Sequence, residues 1–451
     1  MTPETIVDHS YFAALGDAVC VSTSATQRIS LVFKAEVSQF IRFNHARVRQ
    51  ATAVRQAYAT IAVVDAGRRI ETTQSLSGNL DADCAAMCAE REAMIGALPQ
   101  VPVDSFLLLP DAVSDTDRRQ TGKLPTPDEL IATVIAAASG LDLVGFYAAG
   151  PMVRGFADSR GQCNWHAVES FHFDWCVYQS GDKAVKAVYA GTTWDADEFA
   201  ARLFESARRL PLLARAPRVL QPGSYRAYFT PPAMGELLGL VAWNGFGTKH
   251  RRTGTSSLMR MADSATTTST RLSADFHLRE ATASGLSPAF TDEGFVKPET
   301  VTLIDAGVAC NTLTSPRSAR EFALPANGAN AAEAPESLSL AAGTLDIDDA
   351  LRALDTGLFV SDLWYLNYSD RAACRLTGMT RFASFWVEAG QLVEPLQVMR
   401  FDDSFLRMFG KGLLGLTKQT QLLTDNSSYG ERQLASVTTP GALVEGWQLT
   451  L

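Results

Sequence analysis

The sequence predicts an α+β fold: a mixed α/β N-terminal domain over residues 1–220, followed by a mainly antiparallel β C-terminal domain over residues 221–451. Three observations carry that prediction. In the first 220 residues, runs rich in β-branched and aromatic residues alternate with stretches of helical periodicity. The polar, Pro-bearing segment Ala214–Ser224 then breaks the pattern. Beyond it most runs are strand-like, with no internal repeat and no heptad.

Taken in order, Gln27–Phe43 and Ala57–Asp65 are strands by their β-branched and aromatic content. Asp81–Ala97 sets Cys84, Met87, Cys88, Met94 and Ile95 at helical spacing. Leu109–Leu124 is polar, with Pro110 and the charged run Asp115–Arg119, and reads as a loop. At Thr126-Pro127-Asp128-Glu129 the Thr126 hydroxyl can accept from a free amide while Glu129 reaches back, and Pro127 suits the first helical position. That helix runs through Leu130, Val134 and Ile135 to Gly140. Leu143–Ala149, Gly155–Asp158 and Asn164–Tyr178 read as antiparallel strands, and Asp195 with Glu198 opens a helix to about Leu210.

After the boundary, strand Tyr225–Thr230 leads to a helix begun by Pro231-Pro232, with Met234, Leu237, Leu238 and Val241 on its apolar side. Val301–Ala309 is a strand. Arg381–Val398 reads as two strands joined near Ala389-Gly390. Ala326–Ser337 is a loop, and Asp346 opens a short helix through Leu354.

The 451 residues carry a net charge of −9, with 46% hydrophobic and 20% charged residues. That balance supports a large core and argues against a general nucleic-acid binder, which needs a basic surface. Leu130–Gly150, the most apolar stretch, is interrupted by Gly140 and Asp142 and is not expected to span a membrane. The first 19 residues carry Glu4 and Asp8, no early Lys or Arg and no long apolar run, so no secretory signal is expected there. Seven widely spaced cysteines, an odd number, point to reduced thiols and a cytoplasmic location.

Most motifs of hydrolytic or nucleotide chemistry fail. None of the six histidines is followed by Glu, so no HE-type zinc helix is present. His166 and His172 flank Glu169, but on a strand Glu169 points to the opposite face, which favours surface or core histidines. There is no Gly-x-Ser-x-Gly elbow, and the Ser/Thr clusters at Thr253–Ser257 and Thr266–Ser269 read as loops. Cys84 and Cys88 are spaced as buried small residues on a helix. Gly410–Gly415 matches G-x-G-x-x-G without the preceding buried strand that a dinucleotide site needs. Asp346, Asp348 and Asp349 suit a helix N-terminus better than calcium.

One cluster stands out: Leu363-Trp364-Tyr365-Leu366-Asn367-Tyr368-Ser369-Asp370-Arg371, then Gly378-Met379-Thr380-Arg381. Two readings are open. Strands here can offer backbone and side-chain bonds to an extended peptide. Alternatively, Asp370, Arg371 and Arg381 form structural ion pairs that pin the C-terminal sheet.

This cluster and its surroundings resemble the TldD/TldE (PmbA) family. The features follow the family's order: a Gly-rich hairpin Gly145–Gly150 leading to Asp158-Ser159-Arg160-Gly161; a helix start at Thr230-Pro231; Thr291-Asp292-Glu293-Gly294 before Val301–Gly307; Asn367–Asp370; Phe382–Pro395 with Glu388-Ala389-Gly390; and Thr439-Pro440-Gly441. The likeness covers most of residues 10–451. In that family the catalytic type carries His-Glu-x-x-x-His on the helix that corresponds roughly to Glu236–Asn244, and a late Cys as third zinc ligand. Here that helix has no His and is read as lacking the expected base, and no Cys follows Cys374. The chain therefore looks like the TldE/PmbA side, the partner without zinc.

The resemblance implies a non-catalytic subunit of a cytoplasmic heterodimeric metallopeptidase. A TldD-like, HExxxH-bearing subunit would hold the zinc and hydrolyse a peptide or small unfolded protein, and this chain would help enclose the substrate. No cofactor, metal or catalytic residue is expected in this chain, and neither nucleic acid nor membrane is an expected partner. The candidate substrate or partner groove is Asn367, Ser369, Asp370, Arg371, Thr380 and Arg381. The alternative is a stand-alone homodimer that binds a peptide or protein without hydrolysing it.

Overall fold

Two β-sheets organise the chain in the computed structural model, which describes residues 5–261 and 270–450. Helix α1 (His9–Val19) precedes the long strands β1 (Arg28–Asn44) and β2 (Arg47–Asp65), then β3 (Arg68–Ser75) and helix α2 (Leu80–Ala97). Next come β4 (Thr116–Gln120), α3 (Pro127–Ala137), β5 (Asp142–Asp158), β6 (Cys163–Ser180), β7 (Lys183–Gly191) and α4 (Ala196–Leu213). The first sheet has the order β3-β2-β1-β5-β6-β4, with β7 also on β6, and only the β4–β6 pair is parallel.

Local chemistry explains the helix starts. Thr126 and Glu129 form the expected reciprocal cap with Pro127 in the first turn, and the Asp195 side chain accepts from the amides of Asp197 and Glu198. Two expectations fail. The polar Leu109–Leu124 segment contains β4, an edge strand whose Arg118 side chain is half-buried because it donates to the carbonyls of Thr282 and Gly285. Gly145–Gly150 is no hairpin. It lies inside β5, which runs unbroken through Gly150-Pro151. Gly150 sits at φ +136°, where an added Cβ would lie 2.1 Å from the Val37 carbonyl oxygen, so only glycine lets β1 and β5 approach there.

The second sheet starts at β8 (Gly223–Phe229), followed by α5 (Pro231–Gly245) and α6 (Thr248–Arg252). Then come β9 (Leu278–Glu280), β10 (Val301–Asp305), β11 (Val308–Ala309), α7 (Pro316–Phe322), β12 (Ser337–Leu340), α8 (Ala350–Leu354) and β13 (Gly357–Val360). The chain ends with β14 (Asp362–Asp370), β15 (Arg375–Arg381), β16 (Phe385–Glu388), β17 (Gln391–Pro395), β18 (Arg400–Ser404), α9 (Phe405–Met408), β19 (Leu413–Thr424) and β20 (Ser436–Leu449). The sheet's main order is β11-β10-β9-β12-β20-β8-β13-β16-β17. Strand β20 also carries β19 and β18, and β14–β15 attach through β18. Val301–Ala309 is a hairpin turning at Ala306-Gly307, and Ala389-Gly390 turns β16 into β17 with both residues at positive φ. Gly410–Gly415 bridges α9 and β19, the reverse of the strand-then-helix context of a dinucleotide loop. Thr266–Ser269 lies outside the described residues.

The two sheets share a core. One buried cluster joins Phe171, Phe173 and Trp175 of β6 and Phe199 of α4 to Tyr228, Phe359, Phe385 and Leu443 of the second sheet. Arg432, buried between β19 and β20, donates to the carbonyls of Gly150 and Ser170 and so ties the C-terminal chain onto β5 and β6. No described helix is long and apolar enough to cross a membrane.

Candidate functional site

Helix α5 places its residues on two faces. Thr230 caps it, accepting from the Ala233 amide while donating to the Ser361 carbonyl at 2.6 Å. Met234, Leu237, Leu238 and Val241 are buried in the second-sheet core, as the periodicity predicts. The other face, with Gly235, Glu236, Gly239, Ala242 and Trp243, lines a cavity of about 440 Å³ between the two sheets. His172, Asp174 and Lys186 line it from the first sheet, and Asp362 and Asp425 from the second part of the chain. Leu338, Leu423 and Val437 form an apolar wall. Trp243 is 69% exposed, an unusual position for so large an apolar ring. Gly235 leaves room for Leu423: a Cβ there would lie 2.3 Å from Leu423 Cδ1 and would make that side chain shift.

Charge in this cavity centres on three side chains from three elements. Lys186 Nζ of β7 stands 3.3 Å from Asp362 Oδ1 and 3.6 Å from Glu236 Oε1. Glu236 Oε2 accepts from the Leu363 amide at 2.7 Å. Burial pushes the Glu236 carboxyl up to about 7. The nearby Asp362 charge adds to the rise, and Lys186 and the Leu363 amide oppose it. Burial likewise raises the Asp362 carboxyl, against the pull of Lys186. Burial lowers Lys186, but the two carboxylates outweigh it, so the ammonium is held more firmly than a free lysine. A carboxyl poised near neutrality beside a fixed cation can take or give a proton at physiological pH. A second hollow, of about 500 Å³, shares Asp174 and Lys186 and adds Arg42, Arg49 and Phe146.

The histidines serve separate structural bonds. His166 is fully buried, with Nε2 2.8 Å from the Leu286 carbonyl, and burial lowers it to about 4. His172 Nδ1 lies 2.9 Å from Thr424 Oγ1, and burial lowers it too. His250 pairs with Thr255 at 3.0 Å. The three are tied to three different partners, and only His172 reaches the cavity.

The six residues singled out in sequence all lie on the β14–β15 hairpin, and none lines the α5 cavity. Thr380 is buried, its hydroxyl accepting from the Met399 amide at 2.9 Å. Asn367 accepts from the adjacent Tyr368 amide, and Asp370 caps the turn through the Ala373 amide. Ser369 and Asp370 border a shallow hollow with Arg375, Arg400, Asp402 and Thr450. The ion-pair reading finds no support among the described residues. Arg381 stacks 4.0 Å above Trp364, and Arg371 lies 5.4 Å from the Tyr368 ring centre. The sheet is instead braced by Arg375–Asp402 and Arg407–Asp403.

A family model described as the PmbA/TldA metallopeptidase C-terminal domain matches residues 222–451, just over half the chain. The chain belongs to the PmbA/TldD family. Solved structures agree on the fold. TldE from Thermococcus kodakarensis superposes with a TM-score of 0.75 at 12% identity, covering 94% of this chain and 97% of that one. A protein described as a candidate modulator of a DNA gyrase from Thermotoga maritima gives 0.73 at 12% identity, over 98% and 99%. One from Bacteroides thetaiotaomicron, similarly described, gives 0.70 at 13% identity, over 99% and 98%. Among curated protein sequences none matches this chain significantly.

The family description implies a metal, and the α5 cavity does not fit zinc. Zinc needs three or four His, Cys or carboxylate ligands converging on one point. Here the space between the two carboxylates faces the Lys186 ammonium, and the sole cavity histidine points Nδ1 at Thr424. Among the described residues no group of three or more His, Cys, Asp or Glu is placed to hold a metal ion. The site residues missed in sequence, Lys186, Glu236 and Asp362, are separated by 50 and 126 positions, and no local motif joins them. Reading α5 as a helix without a base overlooked Glu236. The available signal was a lone carboxylate opposite the apolar stripe of a Pro-capped helix.

Proposed function

We propose that this chain is the zinc-free subunit of a TldD/TldE-type metallopeptidase complex. It encloses and holds an extended peptide or small unfolded protein, which a TldD-like, HExxxH-bearing partner cleaves. The observation that carries the reading is the Lys186 ammonium of β7 set between Asp362 of β14 and Glu236 of α5, the helix that by the resemblance corresponds to the one bearing the zinc-binding histidines in the family's catalytic type. A cation built into the chain already occupies the space between these carboxylates and offsets part of their charge, and a second cation at the same place would be repelled by it.

The cavity suits a holding role. Its apolar wall accepts side chains, and its polar groups, Lys186, Glu236 and Asp362 among them, offer hydrogen bonds to a main chain. The neighbouring hollow that shares Asp174 and Lys186 lengthens the available path, as an extended segment requires. The test is reconstitution. The chain alone, with or without added zinc, should leave an unstructured test peptide intact, and the chain with an HExxxH-bearing relative should cleave it in a chelator-sensitive way. Chelator-sensitive cleavage by the chain alone would refute the proposal.

A further inference from the structure

A further hollow lies away from the charged triad, beyond the C-terminal end of α5. It measures about 670 Å³, within the range of small-ligand sites. Asn244 leaves helical geometry at φ −146°, and the chain turns there into Gly245, Phe246 and then α6. Phe246, Leu258, Met261, Leu303, Leu324 and Pro325 give the hollow an apolar floor.

Arg251 and Arg252 line the same hollow, and no acidic residue does so among the described residues. Arg251 uses one nitrogen on the Leu258 carbonyl at 2.8 Å. Arg252 is exposed and makes no hydrogen bond or ion pair within the described residues. In a chain of net charge −9, this hollow sets two guanidiniums that form no ion pair within the described residues over an apolar floor. The rim is fixed. The Thr248 hydroxyl is bonded to those of Thr312 and Thr314 at 2.5 and 2.7 Å, and Asn327 accepts from the Thr314 amide while donating to the Thr312 carbonyl.

We propose that this hollow binds a free carboxylate carried on an apolar body, as at the C-terminal residue of a peptide. A guanidinium offers paired N–H donors that match a carboxylate, and the floor beneath would bury the apolar part. The site uses neither the α5 triad nor a partner subunit, so it stands or falls separately from the peptidase reading.

Calorimetric titration of the full chain tests it with four probes: N-acetyl-leucine, hexanoate, N-acetyl-leucinamide and inorganic phosphate. Both acids should bind, and the amide should bind at least tenfold more weakly than N-acetyl-leucine. Hexanoate matching N-acetyl-leucine would assign the site to simple apolar acids, and tighter N-acetyl-leucine would assign it to peptide termini. Arg252→Gln should weaken both acids at least fivefold with an unchanged Tm. A readout without any substitution comes from Cys310, an exposed thiol on the rim. Its alkylation rate, followed by peptide mass spectrometry, should fall severalfold at saturating N-acetyl-leucine. Equal binding of acid and amide, binding of phosphate alone, or no binding with unchanged Cys310 labelling would each overturn the proposal.

Discussion

The β14–β15 hairpin and the α5 cavity offer similar side chains in opposite settings. The hairpin packs aromatics, carboxylate, amide and guanidinium into 19 consecutive positions, Leu363–Arg381, yet those groups mostly satisfy their neighbours. The cavity gathers Lys186, Glu236 and Asp362 from strands and a helix far apart in sequence and leaves their charges facing a space. Density along the chain marks residues that can bond to one another locally. A cavity with perturbed protonation is built by the tertiary fold from distant segments, as burial of the Glu236 carboxyl shows.

The sharpest way to break this contrast is to remove the cavity's cation. Lys186→Met leaves Asp362 buried beside Glu236 with only the weaker field of Arg209 to offset it and should cost about 3–5 kcal/mol in urea unfolding at pH 7. Adding Asp362→Asn should recover a large part of that loss. A cost below about 1 kcal/mol would mean that the triad behaves like surface ion pairs.

Two of the buried titrating groups, His166 and Glu236, should respond to pH with opposite signs. His166 is depressed to about 4 in the fold, so its contribution is present above the unfolded value of 6.5 and is lost as pH falls toward 4. The loss should approach about 3 kcal/mol, and His166→Gln should flatten that limb. Glu236 is raised to about 7, so its burial penalty is absent below the unfolded value of 4.5, builds as pH rises from there and is complete once pH has passed 7. Glu236→Gln keeps an acceptor for the Leu363 amide and should remove that decline. Unfolding followed from pH 4 to pH 8 in both variants separates the two.

Helix α5 provides a finer test within one element. Gly235→Ala should stay within about 1 kcal/mol of the unsubstituted chain, because the helix-propensity gain is offset by the shift of the Leu423 side chain that its Cβ would meet. Gly239→Ala, four residues on, meets open space and should stabilise by about 0.5–1 kcal/mol. On the hairpin, Arg381→Ala should lose about 0.5–1 kcal/mol of stacking on Trp364. Asn367→Ala and Arg371→Ala should stay within about 0.5 kcal/mol. If the hairpin serves as a peptide groove, these last two variants would weaken peptide capture by the assembled complex while leaving Tm unchanged.

Much of the fold was legible because it is written locally. The Thr126 cap, the Asp195 cap, the α5 stripe and the Ala389-Gly390 turn each depend on residues within one turn of each other. Strand β4 was hidden because its one inward cation, Arg118, is satisfied by carbonyls 160 or more positions away, while Asp117 and Arg119 pair with each other. The continuity of β5 was hidden because Gly150-Pro151 looks like a break, and only the approach of Val37 explains it. The family resemblance was legible from the order of weak motifs, and the match over residues 222–451 bears it out. The charged triad was not legible, since Lys186, Glu236 and Asp362 lie far apart in sequence and meet only through the packing of the two sheets.

Zinc titration of the purified chain, by calorimetry and elemental analysis after dialysis, tests the central claim most directly. The account predicts no stoichiometric zinc at neutral pH, with Lys186→Ala as the one variant in which weak binding between Glu236 and Asp362 could emerge. One tightly held zinc per unsubstituted chain, lost on replacing His172 or Glu236, would contradict it.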